Sequence, residues 1–220
     1  VVEFEGRRKN GETFSVEASF SGWQGTEGFQ YGAILRDISV RKREAERVKY
    51  LAEHDALTDL ANRNTLHAGL VRMIANAERK PREVALLVIG LDGFQSINDM
   101  LGHSAGDLVL QAVAVRLEGQ AGDGAIVARL SGDEFAIVQD SDDNQREAAS
   151  ALADRIINII SKPFDIEGNE VNIATSIGIA LAPEHATSSD GLMKMADLAL
   201  YRAKSGGRND FRVFQPELTE

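Results

Sequence analysis

The chain has 220 residues, 43% hydrophobic and 26% charged, a composition that excludes a disordered or fibrous polymer and suits a folded domain with an appendage. A formal net charge of −10 opposes a long nucleic-acid backbone as partner, so no nucleic acid is expected, while a small triphosphate with its cation stays compatible. The absence of cysteine excludes disulfides, a thiol nucleophile and Cys-based zinc, in keeping with a reducing cytoplasm. No apolar run reaches the roughly 18 residues of a membrane span, and the first residues are not a signal peptide. The strand-like start at Val1-Val2-Glu3-Phe4, without Met, reads as an excised piece of a longer protein, whose parent retains the option of a membrane anchor.

In chain order, residues 2–5, 13–20 and 29–38 alternate apolar with polar side chains around the turns Lys9-Asn10-Gly11 and Gly25 to Gly28. Asn-Gly between alternating runs is a strong hairpin signal, so a three-stranded antiparallel meander is predicted. With fewer than about 40 residues and one apolar face, it needs a partner to cover it. Residues 40–53 are densely charged with Ala45, Val48, Leu51 and Ala52 at helical spacing. That stripe fits a plain connecting helix or a helix that pairs with its own copy, and so few turns do not decide between them.

Beyond it the pattern predicts a helix over 62–79, a strand over 84–91 and a polar segment after Asp92-Gly93. A helix over 104–117 then precedes a hairpin from 125–130 to 135–138. Next come a helix over 145–160 stopped by Pro163, a second hairpin of 164–166 with 171–182 around Glu167-Gly168-Asn169, a helix over 189–204 and a last strand over 211–214. The unbroken apolar run before Asp92 reads as a central strand buried on both faces. Alternating strands and helices give an α/β class with a mixed sheet.

The tip of the central hairpin, Ser131-Gly132-Asp133-Glu134, sets two adjacent carboxylates beside a small Ser-Gly pair that lets backbone approach a ligand. Hard cations with phosphates suit such a place, although the same four residues are ordinary turn composition.

Four ordered motifs carry a resemblance. They are Leu57-Thr58-Asp59-Leu60-Ala61-Asn62-Arg63, the strand end Gly90-Leu91-Asp92-Gly93-Phe94-Gln95 with Asn98 and Asp107 behind it, the tip Arg129-Leu130-Ser131-Gly132-Asp133-Glu134-Phe135, and the late run from Ala196-Asp197 through Lys204 to Arg208-Asn209. Over residues 51–216 the chain resembles the GGDEF domain, the diguanylate cyclase family. Residues 1–39 are similar to the C-terminal part of a PAS sensory domain, and 40–54 to a signalling-helix linker. The GGDEF domain would fill 55–216, and 217–220 would begin a linker of the kind that often leads into an EAL phosphodiesterase domain.

The resemblance implies a palm-like nucleotide-cyclase fold in which two GTP condense to cyclic di-GMP and two pyrophosphates, each 3′-hydroxyl attacking the other's α-phosphate. Mg²⁺ or Mn²⁺ is the implied cofactor, commonly as two ions about 4 Å apart. Metal ligands by resemblance are Asp133, Glu134 and the Leu91 backbone carbonyl, with Glu134 and Asp133 catalytic. GTP would be held by the backbone of Gly93, Phe94, Ser131 and Gly132, by Asn98 and Asp107 at the guanine, and by Lys204 and Arg208 at the terminal phosphates. Helix capping accounts for Asn98 and Asp107 equally well when each is taken alone, and a basic helix end for Lys204 and Arg208. Homodimerisation through the PAS and linker segments is the implied assembly.

Three departures from the family pattern stand out, of which Ser131 in the first position of the hairpin tip is mild, since a small residue persists and both acids are kept. The family carries Asp-x-Asp-x-Phe-Lys at the strand end, where this chain has Gly90 for the first, metal-binding Asp and Gln95 for the Lys. The inhibitory Arg-x-x-Asp motif is replaced by Ala121-Gly122-Asp123-Gly124, so product feedback there is not expected. Loss of a carboxylate with the guanine contacts kept favours a catalytically impaired, GTP-sensing regulator; the alternative is an active Mg²⁺-dependent diguanylate cyclase.

Overall fold

The computed structural model describes residues 1–26, 28–77, 82–141 and 144–216; the expected linker at 217–220 and the expected helix end at 78–79 lie outside them. The chain forms two compact units, Val1–Ala52 and Glu53–Glu220.

In the first unit, β1 (Val2–Arg7), β2 (Thr13–Gly25) and β3 (Gly28–Asp37) form an antiparallel meander that is a sheet of its own, not an added edge of the main one. The Asn-Gly signal is realised as a tight turn in which the Gly11 N–H donates to the Arg8 carbonyl at 2.9 Å, with Gly11 at φ 90°. Val16, Ala18 and Ile38 are buried, whereas Phe20, Tyr31 and Leu35, which the register sets on one face of the sheet, are exposed. Helix α1 (Ser39–Glu53) follows, and none of its residues is buried.

The second unit is built on β4 (Glu83–Asp92), which lies at the centre of a five-stranded sheet. After α2 (Arg63–Ala77) and β4 come α3 (Phe94–Leu101), α4 (His103–Glu118), β5 (Ile126–Ser131), β6 (Glu134–Ser141) and α5 (Gln145–Ile160). The short β7 (Phe164–Ile166) and β8 (Asn169–Val171), β9 (Ala174–Ala182), α6 (Ser189–Ser205) and β10 (Phe211–Val213) complete it. The sheet order is β10-β9-β4-β6-β5, with β10 parallel to β9 and the other pairings antiparallel, which makes the sheet mixed as expected.

Successive side chains of a strand point to opposite faces, and β4 is apolar at both because helices cover both. Val84, Leu86 and Val88 pack with Leu66 and Leu70 of α2 and Leu192, Ala196 and Leu200 of α6. Ala85, Leu87, Ile89 and Leu91 pack with Val109 and Val113 of α4 and Leu152 and Ile156 of α5. By this alternation Gly90 and Asp92 belong to the α6 face.

Two elements differ from the sequence expectation. The polar segment after Gly93 is a helix, α3, which buries Phe94 and Ile97 while Gln95, Ser96 and Asp99 stay outside. The strand expected over 171–182 is two: β8 closes a separate ribbon with β7, and the chain leaves it at Asn172-Ile173 before β9 joins the main sheet. Among the described residues no helix is long and apolar enough to cross a membrane.

Candidate functional site

The residues singled out from the sequence gather where β4 ends. Gly90 stands directly opposite Glu134 on one side and Ser176 on the other. The Leu91 N–H donates to the Asp133 carbonyl at 3.2 Å, which ties the hairpin tip to the strand end. A strand residue's N–H and C=O leave the same edge, so the Leu91 carbonyl also faces the tip. Gly93 then turns the chain at φ 78°, a left-handed conformation that an L side chain resists, and α3 starts at Phe94. The first turn of a helix leaves N–H groups without intrahelical acceptors, so Gly93 and Phe94 set backbone donors beside the tip.

Asn98, one turn further along α3, lies against α4: a Cβ at Gly106 would overlap its amide oxygen and stand 3.0 Å from its Cγ. Glycine at 106 therefore admits the Asn98 amide beside Asp107, which is itself exposed. Gln95, at the position of the family's Lys, donates its amide to Asp99 at 2.9 Å.

The tip is braced by residues the sequence did not single out as site residues. Arg129 donates to the Gly132 carbonyl from Nε at 3.1 Å and from Nη2 at 2.8 Å, while Nη1 reaches Asp55 Oδ1 at 3.1 Å. Asp55 also accepts from the Thr58 amide at 2.9 Å and its hydroxyl at 2.8 Å. Burial works to raise the Asp55 pKa, but the Thr58 bonds and the Arg129 charge outweigh it and hold the carboxyl below its ordinary value. The Asp-x-x-Thr run at 55–58 is the only signal that could have found this brace, as a local turn motif.

Helix α6 supplies the other wall. Gly178 of β9 lies so close to it that a Cβ would overlap the Ala196 carbonyl oxygen and the Leu200 amide and stand 2.8 Å from the Leu200 Cα. So seated, the helix aims Asp197 and Lys204, two turns apart on one face, at the strand end. Burial, and then the charge of Glu134, push the Asp197 carboxyl above its usual range, partly offset by Arg63. Lys204 comes closer still: a Cβ on Gly90 would stand 2.6 Å from its Nζ and 2.8 Å from its Cε.

Asp92, the second acid of the strand-end motif, is committed elsewhere. Its Oδ2 accepts from the Ser176 hydroxyl at 2.8 Å and from the Asn209 amide at 3.1 Å, and Arg208 Nε lies 4.0 Å from Oδ1. Through the Asn209 amide it holds the left-handed pair Arg208 (φ 62°) and Asn209 (φ 49°) at the strand end.

These contacts test the fit to a pair of metal ions. Among the described residues no three His, Cys, Asp or Glu side chains converge as a metal centre, and an ammonium lies beside the position where the strand-end carboxylate would begin. Asp133, Glu134 and the Leu91 carbonyl remain as oxygen donors at the tip. Gly90 therefore leaves an ion at this end without the strand-end carboxylate of the family pattern.

Comparison with known proteins agrees with the motifs. Residues 52–210 match the family described as diguanylate cyclase, GGDEF domain. The bifunctional diguanylate cyclase/cyclic di-GMP phosphodiesterase MucR of Pseudomonas aeruginosa is 42% identical over 170 residues, 76% of this chain and 24% of that protein. Diguanylate cyclase TpbB of the same organism is 39% identical over 203 residues, 86% of this chain and 46% of that protein. The chain thus spans less than half the length of these curated relatives. Among solved structures, the TpbB GGDEF domain superposes with a TM-score of 0.72 at 39% identity, covering 75% of this chain and 96% of that one. The coiled coil and GGDEF domain of DgcB from Caulobacter crescentus, in complex with c-di-GMP, gives a TM-score of 0.71 at 30% identity over 80% and 92%. The second unit therefore carries the fold of solved GGDEF domains, and the chain belongs to the GGDEF domain family of diguanylate cyclases.

Proposed function

We propose that this chain is a GTP-binding, GTP-sensing regulator in cyclic di-GMP signalling whose cyclase chemistry is impaired at Gly90. The observation that carries the reading is the pairing of Gly90 with Glu134 while the Lys204 ammonium lies against the same face. Condensing two GTP forms a bond from each 3′-oxygen to the other's α-phosphorus and expels pyrophosphate, and a divalent ion supplies charge neutralisation to such a transfer when bound. In this chain the strand end brings no carboxylate to that task.

Binding asks less of the site. The α3 N-terminus at Gly93 and Phe94, with the Ser131-Gly132 backbone, suits phosphate oxygens. Asp107, an acceptor, suits the N1 and N2 donors of guanine, with the Asn98 amide beside it. Arg208, exposed just beyond α6, suits terminal phosphates, and Lys204 adds its charge to the same bed. Mg²⁺ or Mn²⁺ enters this reading as the ion that a triphosphate carries, next to Asp133, Glu134 and the Leu91 carbonyl.

In the whole protein the regulator would act on an attached domain, an EAL phosphodiesterase being the expected one, with a PAS segment at 1–39 and homodimerisation through it and α1. The exposed stripe of Val40, Val48 and Leu51 supports that pairing, and the cytoplasm is the compartment where GTP is found.

The test is nucleotide binding by calorimetry. GTP is expected to bind at least about ten-fold tighter than ATP, and Asp107→Ala to lower GTP affinity by about ten-fold or more without altering the folded spectrum, as loss of a charged acceptor for the guanine N1 and N2 donors requires. Equal affinity for the two nucleotides would remove the guanine assignment. No binding of either would leave a dimerisation scaffold.

A further inference from the structure

Lys204 does more here than mark the basic end of a helix. Its side chain is half-buried, its Nζ lies close to the Gly90 backbone, and among the described residues it makes no hydrogen bond or ion pair. Among the described residues no ion pair joins Lys204 to Asp92, Glu134 or Asp197; Asp92 Oδ2 serves Ser176 and Asn209, and its Oδ1, buried without a hydrogen-bond partner, has Arg208 Nε at 4.0 Å. An ammonium is a compact charge with three donors, and one that is half-buried and unpartnered has lost hydration without recovering it from the protein.

The position explains why it is there. Gly90 removes one negative charge from the strand end and also removes the side chain that would occupy the space beside Nζ. With Asp at 90, the Cβ would displace the end of the flexible Lys204 side chain, and the carboxylate would pair with it and cancel its charge. A triphosphate arriving at such a neutralised pair needs a divalent cation on that side. Arriving at Gly90, it meets a free ammonium.

We infer that Lys204 stands in for the strand-end metal ion, so that this chain binds GTP without a divalent cation. The inference rests on the GTP-binding reading above and assigns the residue that makes it independent of metal. Phosphate oxygens near the Gly90 backbone would accept from Nζ, while Arg208 and the α3 N-terminus take the rest of the chain of phosphates. Coulomb attraction between unit charges about 4 Å apart is several-fold stronger in such a half-buried place than in water, which lets one lysine in this position hold a phosphate oxygen.

The experiment is calorimetric GTP binding in Mg²⁺ buffer and in EDTA at matched ionic strength, on this chain, on Lys204→Ala and on Gly90→Asp, with circular dichroism to confirm that each is folded. For this chain the two buffers are expected to give affinities within about five-fold of each other. Lys204→Ala is expected to lose about ten-fold or more in EDTA and to recover part of that with Mg²⁺. Gly90→Asp moves the other way, gaining a Mg²⁺ dependence of about ten-fold or more. A drop of more than about five-fold for this chain on removing the divalent ion overturns the inference and leaves GTP binding intact. Absence of GTP binding in both buffers overturns the GTP-binding reading itself, so the two failures are distinguishable. If Lys204→Ala does not fold, the direction of the Gly90→Asp effect decides alone: no gain in Mg²⁺ dependence contradicts the inference.

Discussion

Gly178→Ala is expected to destabilise the second unit by about 3 kcal/mol, which for a domain of this size lowers its melting temperature by roughly 10 °C. The added methyl would meet backbone atoms of α6, not the end of a side chain, so no rotamer change relieves it. Either α6 lifts from β9 or the strand bends, and both disturb Leu192, Ala196 and Leu200 in the core beneath the helix. Lys204 and Arg208, at the end of α6, would move with it, so nucleotide binding should weaken in the same variant. Gly119→Ala supplies the contrast. Gly119 ends α4 at φ −66°, and its nearest neighbours to an added Cβ are 3.5 and 3.6 Å away, so that change should stabilise by about 0.5 kcal/mol through the unfolded chain. Thermal melts of both check the pair; equal effects would contradict the close seating of α6 on Gly178.

Arg129→Ala is expected to cost about 2 kcal/mol and to loosen the hairpin tip. The figure is set below that for a fully buried pair because the Arg129 and Asp55 side chains retain 13% and 25% exposure. Truncation orphans the Gly132 carbonyl and leaves Asp55 with Thr58 alone. The pH dependence gives a second readout. Asp55 has a folded pKa below its unfolded value, so its contribution is present above the ordinary Asp range and is lost as pH falls through the lower folded value. Wild-type stability should thus decline in acid partly through Asp55, and Arg129→Ala should flatten that decline. Urea denaturation at several pH values measures both, and an unchanged acid limb would show that Arg129 does not hold Asp55 ionised.

Much of this arrangement is legible in the residues. The apolar run ending at Leu91 could only be buried on both faces, and Pro163, the Glu167-Gly168 turn and the Asn-Gly turn at 10–11 fall where the chain bends. Helix α3 is not legible, because Phe94, Ile97 and Leu101 are too few to show a period and the segment is fenced by Gly93 and Gly102. The break at Asn172-Ile173 is hidden because apolar residues continue on both sides: Val171 and Ile173 face the α4/α5 cluster although only β9 joins the sheet. The motifs locate the tip, the strand end and the end of α6, but local patterns carry no information on what meets across the fold. Asp55 bracing Arg129, and Lys204 lying beside Gly90, join residues far apart in the chain and emerge only once the sheet and helices are in place.

The central claim is that GTP binds here and is not turned over because the strand end lacks one carboxylate. Incubating this chain and Gly90→Asp with GTP and either Mg²⁺ or Mn²⁺, and resolving cyclic di-GMP by chromatography beside calorimetric GTP binding, tests it most directly. The expected result is binding by both and product from Gly90→Asp alone. Product from this chain at a rate near that of Gly90→Asp would contradict the account and identify a working cyclase.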